Sequence, residues 1–516
     1  MSRSRILNRI HQTLRRQTAN TEPHHPFVTR RDILQLGALA LGGLALPRLG
    51  WATAASRTPR IGIVGAGISG LTAALTLQDS GVPCSVYEAS TRIGGRMHSD
   101  ATFWNQGQVS EWCGEFIDTD HYLIRHLAKR FGLTLVDVNA ADPKGSVDTN
   151  YFQGTYYTDV QLAEDMKAIA PIINQQVRQI GPVVLYNQYT QAAYDFDHLS
   201  AYDWIETYVP GGHSSRLGQY LDLGMVSLNG LDSSEQSSLN LILPFFSDER
   251  FHTVGGNDQI PFAIAATLPA GTLNLGWRLS AVAANPDKTV TLTFSTPSGT
   301  EQVTFDYVIL ALPFSVLRKL DLSQAGFDAL KMAVIQQLGY GTNSKLILQF
   351  DKRYWNGHGA WPGISDGFIS TDLPFQSTWD SSRAEAGSNG LLTNYTGGTP
   401  GAAFQPDGPY TTSSGSAQTA QYAQTFLAQL DQVWPGGAAR YQGLANLSYP
   451  TGDPNLLGSY SAYKVGQITA FAGYQGVPQG SIFFGGEHCS VNFQGYMEGG
   501  AEEGRRAALQ VLAAAG

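Results

Sequence analysis

Residues 61–96 read IGIVGAGISGLTAALTLQDSGVPCSVYEASTRIGGR, and the spacing within this stretch decides the fold. Ile61 to Val64 is an apolar run of strand length, Gly65, Gly67 and Gly70 follow as GxGxxG, and a helical pattern begins at Leu71. The first glycine permits a tight turn, the second lets backbone N–H groups approach a pyrophosphate, and the third lets helix and strand pack closely. The helix N-terminus, which follows Ser69 and Gly70, adds partial positive charge at the same place. A second strand, Cys84 to Tyr87, ends in Glu88, where a carboxylate can hold ribose hydroxyls. The unit is a βαβ dinucleotide site, and the fingerprint alone leaves NAD and FAD open.

Just beyond Glu88 come Ala89, Arg92, the pair Gly94 and Gly95, and Arg96. This extension resembles the flavin amine oxidase family, which includes monoamine, polyamine and L-amino-acid oxidases and in which the loop reaches over the pyrophosphate toward the flavin. The resemblance implies FAD and an α/β architecture, with a Rossmann-like FAD-binding domain and a discontinuous mixed α+β substrate domain. We expect the FAD-binding domain over 59–119, 248–320 and 455–516, and the substrate domain over 120–247 and 321–454.

The chain has 516 residues, 42% of them hydrophobic and 15% charged, enough for two or three domains with substantial cores. Disorder and coiled coil do not fit this composition. A formal charge of −9 argues against nucleic acid as a partner. Cys84, Cys113 and Cys489 are too scattered for a disulfide framework or a zinc site. Near the start, Thr29-Arg30-Arg31-Asp32 precedes an apolar run, Leu36 to Leu46, and then Ala52-Thr53-Ala54. This reads as a twin-arginine signal peptide over 1–54, implying a periplasmic or secreted protein with no stable membrane span once the signal is removed; an uncleaved anchor is the alternative. That segment holds eight arginines and two acids, so the remainder is distinctly acidic. A homodimer is compatible with the sequence, which does not specify oligomeric state.

Further along, WNQGQVSEWCGEFID, Trp104 to Asp118, is similar to the family turn that passes beneath the flavin. In polyamine oxidases an acid of this turn helps recognise substrate ammonium groups, and the resemblance places Asp118 there, with Glu115 nearby. Helical patterns are expected at His121 to Leu133, with Gly132 as the stop, at Val160 to Ile180 and at Tyr202 to Tyr208. Residues 120 to 245 are thereby assigned to a helical substrate-side region. Strands are expected at Leu275 to Val282, Thr289 to Phe294, Val303 to Phe305 and Asp306 to Pro313. The family would pack the backbone of Val282 against the adenine. Lys345 opens a strand ending at Phe350, and in the family a lysine here holds a water beside flavin N5. Residues 356 to 450 read as loops on a substrate-binding sheet, with one helix at Ala417 to Val433.

Leu457-Gly458-Ser459-Tyr460-Ser461-Ala462-Tyr463 matches the family stretch against the isoalloxazine, with Ser459 where monoamine oxidases carry the cysteine that bonds the flavin. A hydroxyl forms no thioether, so FAD should be noncovalent. Phe484-Gly485-Gly486-Glu487-His488-Cys489 is similar to the polyamine oxidase turn whose glutamate contacts the cofactor. Gly495-Tyr496-Met497-Glu498-Gly499 then opens the last helix. Tyr460 and Tyr496 occupy the family's two aromatic positions before the flavin, where π-faces can orient an amine.

The resemblance implies hydride transfer to flavin N5 from a primary or secondary amine, including di- and polyamines. An imine forms, and O2 is reduced to H2O2. L-amino-acid oxidases commonly clamp the substrate carboxylate with an arginine near the turn that reads CGEFID here, and the acids at that place count against a carboxylate substrate. An arginine from elsewhere could substitute, so an L-amino-acid oxidase of basic or broad specificity stays as an alternative, with Arg125 or Arg353 as candidate clamps. An amine dehydrogenase passing electrons to a carrier, or a flavoprotein of this fold with no amine chemistry, stays open as well.

Overall fold

The computed structural model describes residues 58–243, 247–357 and 363–516. The expected signal segment lies outside the described residues. At the centre is a five-stranded parallel sheet built from β1 (Ile61–Val64), β2 (Ser85–Glu88), β3 (Leu273–Leu275), β4 (Tyr307–Leu310) and β5 (Ile482–Phe484), in the order β5-β4-β1-β2-β3. Strands far apart in sequence thus meet in one sheet. β1 is apolar throughout because it is covered on both faces, which is why it shows no alternation. Helix α1 (Ile68–Asp79) and the final helix α2 (Met497–Ala515) pack on one side. Their closeness depends on Gly504, where a Cβ would stand 2.0 Å from the Ser69 carbonyl oxygen.

A four-stranded sheet covers the other side, in the order Gly299–Phe305, Val290–Thr296, Arg278–Ala284, Asp321–Gln324. Tyr87 of β2 stacks on Phe294 of this layer at 4.7 Å between ring centroids, and Phe305 fills the space beside Gly62. The remaining large layer is an eight-stranded sheet. Its order is Tyr410–Thr412, Tyr441–Ser448, Ser344–Phe350, Gly390–Thr396, Ser377–Asp380, Ile364–Thr371, Ser146–Phe152, Thr155–Tyr156. Helix Ala417–Val433 packs against it through Phe426, Leu427 and Leu430.

Several expectations are met: helices at Tyr122–Arg130, Ala201–Tyr208 and Ala417–Val433, and strands at Val290–Thr296 and Ser344–Phe350. The helical patterns expected over Val160 to Ile180 are two helices, Asp159–Asp165 and Ala170–Ile180. One expectation is corrected. Residues 356 to 450, read as loops with one helix, supply five strands of the large sheet. Leu135–Asp137 pairs with Phe251–Thr253, and Asp321–Gln324 pairs with Arg278–Ala284. Among the described residues no helix is long and apolar enough to cross a membrane.

Gly70 is the tightest point of the βα turn, since a Cβ there would lie 1.9 Å from the Gly65 carbonyl oxygen. Backbone cannot yield as a flexible side chain can, so Gly70→Ala is expected to cost on the order of 3 kcal/mol or more. Thermal melting of the variant checks this; an unchanged midpoint contradicts it.

Candidate active site

A cavity of about 720 Å3 runs from the βα turn to the start of α2, within the roughly 300–1,000 Å3 range of cofactor sites. One end is walled by Trp277, Arg278 and Leu279, the middle by Gly67, Ser69 and Arg92, and the other end by Arg96, Gly114, Ser459 and Tyr496. Gly65, Glu88, Ala89, Gly95, Gly486, Glu487, Gly495 and Met497, all expected cofactor contacts, line it too. Gly70 does not; it supports the turn from behind. Val282 does not line the described cavity either: it is buried in the apolar core, and Trp277 to Leu279 form the wall at that end instead.

The residues present fit a dinucleotide. At Gly67 the nearest atoms to a built Cβ are 4.0 Å away, so this glycine borders open space, whereas Gly65 and Gly70 are crowded by backbone. Glu88 accepts N–H bonds from Ala66 and Ser90, both at 2.8 Å, which fixes the carboxylate at the end of β2, while burial raises its pKa. Ser69, His98 and His488 line the cavity and carry buried polar atoms with no hydrogen-bond partner among the described residues: Ser69 Oγ, His98 Nδ1 and both ring nitrogens of His488. Orphaned buried polar atoms cost free energy, so a ligand rich in donors and acceptors suits this wall. His488 is a cavity residue that sequence reasoning missed; its place next to Glu487 is the available signal. Burial lowers its pKa to about 3, so it stands there as a neutral imidazole.

Glu487 organises the part of the cavity lined by Arg96, Gly495 and Tyr496. Its carboxylate accepts from Arg96 Nη1 (2.8 Å), Ser461 N (3.0 Å), Ser461 Oγ (2.7 Å) and Gly495 N (2.6 Å). Burial pushes this carboxyl up, but the Arg96 charge and the donated bonds hold it down to about 2. One carboxylate therefore grips the residue after Tyr460 and the residue before Tyr496. Tyr460 is 1% exposed; its hydroxyl shares a 2.8 Å bond with the Tyr395 hydroxyl and donates to the Ser227 carbonyl at 3.2 Å. Tyr496 lines the cavity and rests edge-on against His121, with ring centroids 5.3 Å apart.

The expected substrate-reading acids are placed differently. Asp118 is buried, accepts from Ser247 Oγ and Glu249 N at 2.7 Å each, and faces His121 Nε2 at 3.3 Å. It does not line the described cavity, and burial pushes its pKa up to about 7. Glu115 is paired with Lys345, Nζ to Oε2 at 2.7 Å, and its other oxygen accepts from the Trp379 indole at 2.9 Å. Burial raises the Glu115 pKa, but the Lys345 charge and these bonds hold it down to about 2. Lys345 is thus held by a carboxylate that sequence reasoning assigned to substrate. Neither arginine proposed as a carboxylate clamp lines the described cavity: Arg125 donates to the Thr119 carbonyl, and Arg353 donates to the carbonyls of Ser382, Glu385 and Gly387. All three cysteines are free thiols.

Two outcomes follow from this geometry. Gly67→Ala should fold and melt close to the parent, but retain less than a tenth of the flavin, read as the ratio of visible to ultraviolet absorbance; full retention contradicts the cradle. Glu487 has a folded pKa below its unfolded value, so its stabilisation is present above about pH 4.5 and is lost as pH falls toward 2. Acid unfolding of Glu487→Gln should accordingly show a shallower pH dependence between 4.5 and 2 than that of the parent, with lower stability at pH 7.

Comparison with known proteins agrees with the cavity. The YobN protein of Bacillus subtilis (strain 168) is 26% identical over 486 residues, covering 89% of this chain and 95% of its own. The L-amino-acid oxidase of Naja atra is 24% identical over 488 residues, 88% of each chain. Among solved structures, cyclohexylamine oxidase from Brevibacterium oxydans IH-35A shares the fold with a TM-score of 0.73 at 19% identity, covering 89% of this chain and 99% of that one. A putrescine oxidase bound to putrescine does so with a TM-score of 0.72 at 19% identity, covering 88% and 99%. The model of the flavin-containing amine oxidoreductases matches residues 68–512, and the chain belongs to that family of flavin-dependent enzymes.

Proposed function

We propose that this enzyme binds FAD noncovalently and oxidises the carbon next to a primary amine nitrogen, giving an imine that water hydrolyses to a carbonyl compound and ammonia. The observation that carries this reading is the grip of Glu487 on Ser461 and Gly495, which ties the segments bearing Tyr460 and Tyr496 to one point at the cavity end. When bound, the flavin supplies the acceptor for a hydride from the C–H beside the nitrogen. Tyr460, fixed by Tyr395 and the Ser227 carbonyl, and Tyr496 orient the amine with their π-faces. The amine must be neutral to react, and no free carboxylate at Glu115 or Asp118 favours its protonated form. Lys345 has three N–H donors and spends two on Glu115 and the Glu111 carbonyl, which leaves one for a water. O2 or an electron carrier then takes the electrons; O2 gives H2O2. Ser459, which shares its hydroxyl with Asn343, offers no thiol for a covalent link.

Because the acids of the CGEFID turn are bonded internally, recognition of a polyamine through them loses its support, and so does the case they made against a carboxylate substrate. An L-amino acid is the second reading, favoured by the activity named for the Naja atra relative. We infer in addition that Arg30-Arg31 and the following apolar run direct export.

Anaerobic titration of the purified yellow protein against a panel of primary amines and L-amino acids, followed by air and a peroxide assay, tests the proposal. Bleaching by primary amines and recovery of colour with peroxide in air are expected; a protein that stays yellow with every compound refutes it. Acid precipitation should release the flavin to the supernatant, and yellow pellets would refute the noncovalent link.

A further inference from the structure

This inference rests on the reading that Lys345 serves the reacting centre, and concerns what holds it there. Lys345 and Glu115 are each 3% exposed, and their pair bridges two parts of the molecule. Glu115 comes from the turn after Ser110–Glu111, on the cofactor side, while Lys345 and Trp379 belong to neighbouring parts of the eight-stranded sheet. Nζ donates to Glu115 Oε2 (2.7 Å) and to the Glu111 carbonyl (3.1 Å), and the Trp379 indole donates to Glu115 Oε1 (2.9 Å). The Trp379 ring lies 5.5 Å from Nζ and 5.1 Å from the ring of Tyr395, which carries the hydroxyl bonded to Tyr460. A carboxylate with both oxygens occupied inside the protein is poorly placed to read a substrate. An ammonium this deeply buried, deprived of its carboxylate, would be an uncompensated charge.

We propose that Glu115 is a positioning residue that holds Lys345 in place and aimed, with one N–H left for a further acceptor, and that it makes no contact with substrate. Among the described residues the other titratable groups around the pair are Glu111, Cys113 and His252, with Arg383 and Glu385 beyond His252. Glu111 is engaged by Asn257 N and Ser99 Oγ, and burial keeps Cys113 a thiol and lowers the His252 pKa, so none of them replaces Glu115 as counter-charge.

The test compares flavin-loaded parent, Glu115→Gln, Glu115→Asp, Lys345→Met and the double variant Glu115→Gln/Lys345→Met. Without its counter-charge a buried ammonium binds its proton more weakly than in the unfolded chain, so stability rises with pH across that range. The melting temperature of Glu115→Gln should therefore climb between pH 6 and pH 10 relative to the parent, while the double variant shows no such climb and melts above Glu115→Gln at pH 6. In turnover at pH 7, Glu115→Gln should keep KM for the amine within about twofold and lose about tenfold in kcat, with Glu115→Asp recovering part of it. In the Lys345→Met background the same change should alter kcat less than about twofold. A KM raised tenfold with kcat intact, additive losses in the double variant, or a climb that persists without Lys345 each overturns the proposal. Should Glu115→Gln fail to fold, a folded double variant supports the pairing, and two unfolded variants overturn it. The melting comparison needs no substrate, so a chain that oxidises no amine refutes the function and leaves this result readable.

Discussion

The Glu487 carboxylate is the joint on which the cavity depends. It sits 5% exposed and collects a guanidinium from Arg96, two donors from Ser461 and a backbone N–H from Gly495, residues separated by hundreds of positions in the chain. A buried carboxylate is costly unless every lone pair is met, so these segments can pack only in the arrangement that satisfies it. The same device recurs. Glu498 accepts the N–H groups of Leu123 and Ile124 at 2.8 Å each and caps that helix, and Asp197 holds the N–H and hydroxyl of Thr469 at 2.7 Å each. In this molecule buried acids serve chiefly as ties between distant segments.

That habit changes how the substrate side is read. Two acids in the CGEFID turn suggested an ammonium receptor, yet Asp118 is committed to Ser247 and Glu249, and Glu115 to Lys345 and Trp379. The charges of this turn are spent inside the protein, Glu115 against Lys345 at 2.7 Å and Asp118 on its own hydrogen bonds, and neither carboxylate lines the described cavity.

The βαβ unit was legible because a ligand-bearing turn constrains residue type position by position: Gly65 and Gly70 abut backbone, and no side chain fits there. Helix Ala417–Val433 was legible from its apolar period, and the structure adds a Ser416 cap at its start. The strands between 364 and 448 were not, since they lie in a sheet covered on both faces and carry Ser, Thr and Gly where an alternating apolar pattern would be sought. Their hydroxyls find partners only across the sheet, as Ser377 Oγ does on the Tyr395 carbonyl (3.1 Å) and Thr378 Oγ1 on that of Gly367 (2.9 Å). Polar residues that looked like loop were satisfied by pairing that no local window contains.

By itself the sequence determined the dinucleotide turn, because that turn depends on short spacings that sterics and backbone geometry enforce locally. Only the tertiary structure decided which charged groups are free. Whether Glu115 meets a substrate or a lysine is set by a strand 230 residues away, and whether Arg353 is a clamp or a loop anchor is set by the carbonyls it encounters. Hydrogen bonds and ion pairs are formed through space, and the fold, not the neighbouring residues, brings their partners together.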